Sequence, residues 1–149
     1  MSFHPAGTLR EGAHHHVLRI YYEDTDAGGV VYHATYLRLA ERARTEALRD
    51  LGVPHADLVS EHGLMFMVRR VKMDYAGSAR LDDLLVVTTR PLKIGAASVD
   101  LRQSFVREGE AGGDELVNVE IQLACVRLAD HRPVRIPPRW REALSRLAG

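Results

Sequence analysis

The run Tyr22-Glu23-Asp24-Thr25-Asp26-Ala27-Gly28-Gly29-Val30-Val31-Tyr32-His33 gathers carboxylates, two adjacent glycines and a histidine into one short stretch. A carboxylate next to a polarised carbonyl can attack it or activate a water against it. Paired glycines let the backbone fold tightly and come close to a ligand. A helix that starts directly after such a turn presents unpaired amides, which oppose developing oxyanion charge. These parts suffice for hydrolysis without a Ser-His-Asp triad and without a metal. The run alone leaves open which of its carboxylates would act, and His33 stands immediately before the helix. Asp26 has a plainer alternative as an Asx turn or cap. His33 has one as a packing residue at the helix start. Asp24 reads as a turn former.

The elements that must position these groups follow from periodicity. Tyr36, Ala40, Ala43, Ala47 and Leu51 recur at spacings of three and four, which predicts a helix of about 16 residues. Thr35 is its expected N-cap, and Gly52 with Pro54 ends it. Arg42 and Glu46 are expected on its wetter side. Upstream, residues 1–15 read as a flexible arm, with His14, His15 and His16 as a polar strand beginning rather than a metal site. His16 to Tyr22 reads as a strand. Downstream, period-two patterns predict strands around Met65–Tyr75, Leu84–Thr89, Val99–Phe105 and Val117–Cys125, with Gly109 to Asp114 as a hairpin connection. Cys125 is expected in the core. Trp140, Ala143, Leu144 and Leu147 fit a short closing helix. The fold class is therefore α+β, with a curved antiparallel sheet wrapped around one long helix. The domain spans 16–136, followed by a tail over 137–149. Exposed sheet edges predict pairing between subunits.

Composition narrows the function. The chain has 149 residues, which suits one domain, and 20 basic against 20 acidic residues, which disfavours a broad nucleic-acid surface. A single cysteine cannot close a disulfide within the chain or build a thiolate cluster, which points to a reducing compartment. Neither a targeting segment nor an 18-residue apolar run is read in the sequence, so a cytoplasmic protein without an integral membrane segment is expected.

Tyr21 to His33, with Tyr36-Leu37, Glu41-Arg42-Ala43-Arg44-Thr45-Glu46 and Ser78-Ala79-Arg80-Leu81-Asp82-Asp83-Leu84, resembles the hotdog-fold acyl-CoA thioesterases of the 4-hydroxybenzoyl-CoA thioesterase-like family. The branch associated with the Tol-Pal cell-envelope system is the nearest. The resemblance implies hydrolysis of an acyl-CoA thioester to free acid and CoA. It implies Asp26 as nucleophile or general base, His33 beside it, and an amide near His33 that polarises the thioester carbonyl. It implies substrate contacts at Gly28, Gly29 and Tyr32. Related proteins carry basic residues just before the position of Ser98. Here Ala96 and Ala97 stand there, so Arg90, Lys93 and Ser98 are assigned to CoA. Thr35 stands where the family usually has Asn, and Ser78 where it usually has Pro. No cofactor or metal is implied. A homodimer or homotetramer is, and acyl carrier protein is admitted as a partner. Glu41 and Glu46 read as helix ion pairs rather than bases, and Met65, Phe66 and Met67 as bounds of the acyl end. The alternative function is a non-catalytic acyl-thioester-binding or cell-envelope complex module.

Overall fold

The computed structural model describes residues 7–10, 12–109 and 114–148. Six strands form one antiparallel sheet: β1 (Thr8–Arg10), β2 (Ala13–Arg19), β3 (Leu64–Tyr75), β4 (Leu84–Ile94), β5 (Ser98–Arg107) and β6 (Glu115–Arg127). Their order across the sheet is β1-β2-β4-β5-β6-β3. Three helices accompany them: α1 (Thr35–Asp50), α2 (His55–His62) and α3 (Pro138–Leu147). Among the described residues, no helix is long and apolar enough to cross a membrane.

The expected wrap around one long helix is corrected. The sheet is open, with β1 and β3 as its two edges, and is not curled into a closed layer. The cover of its apolar face is shared: α1 packs on β2 and β4, α3 on β4, and α2 on β3. With three helices available, the sheet need not curl around one to bury its apolar side chains.

The helix stripe read from the sequence is the buried one. Tyr36, Leu39, Ala40, Ala43, Ala47 and Leu48 are all buried, and the small alanines let α1 lie close to the strands. Alternation along the sheet supplies the opposing layer, with Leu85, Val87, Val99, Leu101, Phe105, Val117, Val119, Ile121, Leu123 and Cys125 turned inward. Trp140, Ala143, Leu144 and Leu147 bury the apolar side of α3 as its spacing predicted.

Other expectations shift. Thr35 is the first helical residue of α1 and does not cap it; Ala34 holds the cap position, with no capping side chain. Two elements lie inside the stretch read as an arm, β1 and the first residues of β2. His14 and His16 are buried on one face of β2, and His15 on the other face meets Thr88 Oγ1 at 3.1 Å. The Nε2 atom of His14 lies 2.7 Å from Asp50 Oδ2, which ties β2 to the end of α1. Glu46 is buried rather than wet, and it accepts a hydrogen bond from Arg49. Most of the Gly109–Asp114 connection lies outside the described residues.

Burial pushes the imidazoles of His16 and His55 below the ordinary 6.5. A lowered folded-state value means that the unfolded chain takes up protons first as pH falls. The stabilisation is complete above about pH 6.5 and is lost as pH drops through the folded values. We expect the melting temperature to fall from pH 7 to pH 5, with a shallower slope in His16→Asn. Calorimetry across that window checks it, and a flat profile contradicts it.

Candidate active site

A single 3-10 turn, Tyr22–Asp24, leads from β2 into the glycine segment. The chain then doubles back. Thr25 pairs with Val31, Asp26 N donates to Val30 O at 2.9 Å, and Tyr32 N donates to Asp24 O at 3.1 Å. Gly29 sits at the bend with φ +79°, a left-handed conformation that suits glycine. Asp24 closes the base, where its Oδ2 accepts the Tyr21 amide at 2.9 Å. It is buried and shapes the turn.

Asp26 stands exposed at the tip. Its Oδ1 accepts the Gly28 amide at 2.8 Å, which is the Asx turn anticipated from the sequence. Its other oxygen has no hydrogen-bond partner among the described residues. A side-chain carbon at Gly28 would sit 3.2 Å from Asp26 Oδ1, so the glycine leaves the carboxylate uncrowded. The Asx turn therefore orients the carboxylate while leaving one oxygen free for chemistry.

His33 follows three positions beyond Val30, the residue opposite Asp26, in the turn that leads into α1. No hydrogen bond joins the two side chains. The His33 ring instead lies against Tyr32, with centroids 4.4 Å apart, and both residues are exposed. The His33 carbonyl accepts from Tyr75 Oη at 2.9 Å, which fastens the start of α1 to the far end of β3. Two first-turn amides are used locally, Thr35 N to Tyr32 O at 2.9 Å and Leu37 N to Ala34 O at 3.2 Å. With no side-chain cap, the helix start still presents its positive dipole end.

The loop after β3 braces this turn. Val31 N donates to Ala79 O at 2.9 Å. The Ala79 amide donates to Tyr36 Oη at 3.1 Å. Ser78, without the rigidity of proline, is held through its carbonyl by Arg107 at 2.9 Å, and Arg107 also meets Asp83 Oδ2 at 3.0 Å. Burial raises the Tyr36 hydroxyl above its ordinary value, so it stays protonated.

The remaining assigned residues lie elsewhere. Ile20 N donates to Asp83 O at 2.9 Å, so the turn borders the Leu84 end of β4. Arg90 is six residues further along β4, roughly 20 Å away, and Lys93 lies beyond it. Ser98 opens β5 at that same distant end, where Gly95 N donates to its carbonyl at 2.8 Å. Asp26, Gly28 and Gly29 therefore share one turn and Tyr32 and His33 lie on the segment that leads from it into α1, whereas Arg90, Lys93 and Ser98 occupy the opposite end of the sheet in the same chain.

A pocket of about 400 Å³ opens between α1, α2 and β3, lined in part by Glu41, Arg44, His55, Met65, Phe66 and Met67. Strand alternation forbids all three β3 residues on one face, yet all three line it. The pocket lies at an edge strand, and β3 carries a register shift between Val68 and Arg70. Sequence reading missed Arg44 and His55. The buried Gln103 on a strand otherwise apolar on its inner face was the available signal, because a buried amide needs polar company.

Residues 21–144 match the thioesterase-like superfamily. The chain belongs to this family of hotdog-fold proteins. It is 42 % identical over 130 residues to the acyl-CoA thioesterase YbgC of Haemophilus influenzae, covering 87 % of this chain and 93 % of that one. It is 39 % identical over 120 residues to the acyl-CoA thioester hydrolase YbgC of Escherichia coli O6:H1, covering 80 % and 87 %. A crystal structure of a probable thioesterase from Bartonella henselae superposes with a TM-score of 0.77 at 34 % identity, covering 84 % of this chain and 99 % of that one.

The Ala79 clamp makes a direct prediction. Tyr36→Phe removes the acceptor of a buried amide, which costs about 1–3 kcal/mol. Urea unfolding should show that loss. An unchanged midpoint would mean that the Ala79 amide finds another partner.

Proposed function

We propose that this chain hydrolyses acyl-CoA thioesters to free acid and CoA, and that it belongs with the YbgC branch, which the sequence resemblance links to the Tol-Pal envelope system. The observation that carries the reading is the exposed Asp26 carboxylate, held by its own Asx turn and left with one free oxygen on the turn whose returning arm leads into an uncapped helix start. The relatives' activity supports the same class of chemistry.

In this reading the thioester carbonyl oxygen faces the amides at the start of α1. Charge that develops there as the carbonyl carbon becomes tetrahedral is opposed by the helix end. Asp26 attacks that carbon directly or takes a proton from a water that does. In the first route a mixed anhydride forms, the CoA thiolate leaves, and water resolves the anhydride. In the second the water oxygen enters the acid at once. Gly28 and Gly29 let the backbone approach the thioester. Tyr32 and His33 flank it, His33 orienting it or aiding proton movement. The acyl group extends toward Met65, Phe66 and Met67, and the two methionine thioethers adapt to more than one shape.

The edge strand β3 supports a homodimer as the minimum unit. A second copy is also what the CoA assignment needs. Arg90, Lys93 and Ser98 can serve this site only from a partner subunit, since their own Asp26 is at the other end of the sheet. Light scattering should then find no active monomer at micromolar concentration.

The decisive kinetics use Asp26→Asn, which keeps size and hydrogen bonding but removes the charge. We expect it to fold, assemble and lose at least about 100-fold in acyl-CoA hydrolysis. Asp24→Asn should lose less. A folded Asp26→Asn with near-native turnover would move the chemistry elsewhere. A native chain inactive on short, long and aromatic acyl-CoAs would favour a binding module.

A further inference from the structure

The pocket between α1, α2 and β3 holds a charge that the hydrolytic chemistry does not use. Arg44 is only 7 % exposed. Its Nη1 donates to Gln103 Oε1 at 3.0 Å, while the amide nitrogen of Gln103 is committed to Ala40 O and Thr89 Oγ1 at 2.9 and 3.0 Å. Among the described residues no carboxylate lies within ion-pair range of Arg44. A guanidinium has five N–H donors and keeps its charge. A buried cation without an ion-pair partner is costly, and this one lines the cavity, which it shares with the Glu41 carboxylate.

The surroundings suit an incoming anion. Burial works against the Arg44 charge, and Glu41 opposes that effect without forming an ion pair. Burial and then Arg44 itself hold His55 below its ordinary value, so it faces the pocket as a neutral hydrogen-bonding ring. Methionine and phenylalanine form the walls. A mostly apolar cavity with a few convergent polar groups fixes the orientation of a ligand through those groups.

Resting on the thioesterase reading, we propose that Arg44, with His55 beside it, receives a carboxylate at the far end of the acyl group, so that the preferred substrates are ω-carboxyacyl-CoA thioesters. A carboxylate matches the guanidinium fork and supplies the direct ion pair that Glu41 does not make. The reach is set by α1. Thr35 and Arg44 are nine residues apart, a rise of about 14 Å. Helical side chains lean toward the N-terminus, which shortens the gap. Acyl groups of intermediate length fit that span.

The test compares kcat/KM of the native protein for adipoyl-, suberoyl- and sebacoyl-CoA with hexanoyl-, octanoyl- and decanoyl-CoA. At the best length we expect the carboxylated member to be favoured by about tenfold or more. Arg44→Gln should bring that ratio toward one. Arg44→Lys, which keeps the charge but loses the fork, should give an intermediate ratio. If the variants do not fold, the native ratio decides. Hydrolysis of the plain acyl-CoAs with no preference for the carboxylated partners overturns the Arg44 assignment and leaves the thioesterase reading intact. A ratio unchanged in folded Arg44→Gln also overturns it. No hydrolysis of any thioester overturns both.

Discussion

The backbone of Ala79 is held at both its amide and its carbonyl, and the geometry of the site depends on that grip. Its carbonyl accepts from Val31, on the returning arm of the glycine turn. Its amide donates to the Tyr36 hydroxyl, one residue inside α1. One residue, through the peptide groups on its two sides, thus ties the turn that carries Asp26 to the helix whose dipole would act on the substrate. Ala79 is fully buried, so water does not compete for either bond. The Tyr36 ring, edge-on to Phe105 with centroids 5.4 Å apart, holds its hydroxyl in place from the sheet side. A carboxylate and a row of amides become a site only when their separation is fixed, and a loop without this anchor would not fix it.

The core behind the site is not uniformly apolar. Thr89 and Gln103 interrupt the inward stripes of β4 and β5, and Gln103 donates to Thr89 and accepts from Arg44 across the α1 interface. Each buried polar group left alone would cost free energy, so they are retained as a linked set. The set borders the pocket rather than the centre of the core. The packing that holds α1 against the sheet therefore also delivers a cation to the cavity wall.

Much of the fold was legible in the sequence, because two periods do most of the positioning. The 3.6-residue stripe from Tyr36 to Ala47 is the buried face of α1, and the alternation from Val117 to Cys125 is the inner face of β6. The glycine turn and Asp26 were readable because glycine pairs and Asx chemistry act locally. What the sequence hid depended on tertiary partners. Residues 55–62 bury only Leu58 and have no stripe to announce α2, though Gly63, with φ 65°, marks its end. Thr35 fits the cap preference but is displaced by Ala34, because the preceding turn already commits the Tyr32 carbonyl to it. His14 looked like a polar strand beginning because Asp50, its partner, is 36 residues away. The open sheet could not be foreseen from strand patterns, since they do not state how many helices share its cover.

The central claim is that the thioester carbonyl lies against the start of α1 within reach of Asp26. Isotope-edited infrared spectroscopy of a carbonyl-labelled acyl-CoA bound to the Asp26→Asn variant observes that carbonyl directly. Hydrogen bonding to the helix amides predicts a stretch moved to lower frequency than in free acyl-CoA. A bound thioester whose carbonyl stretch stays at the free position would contradict the account.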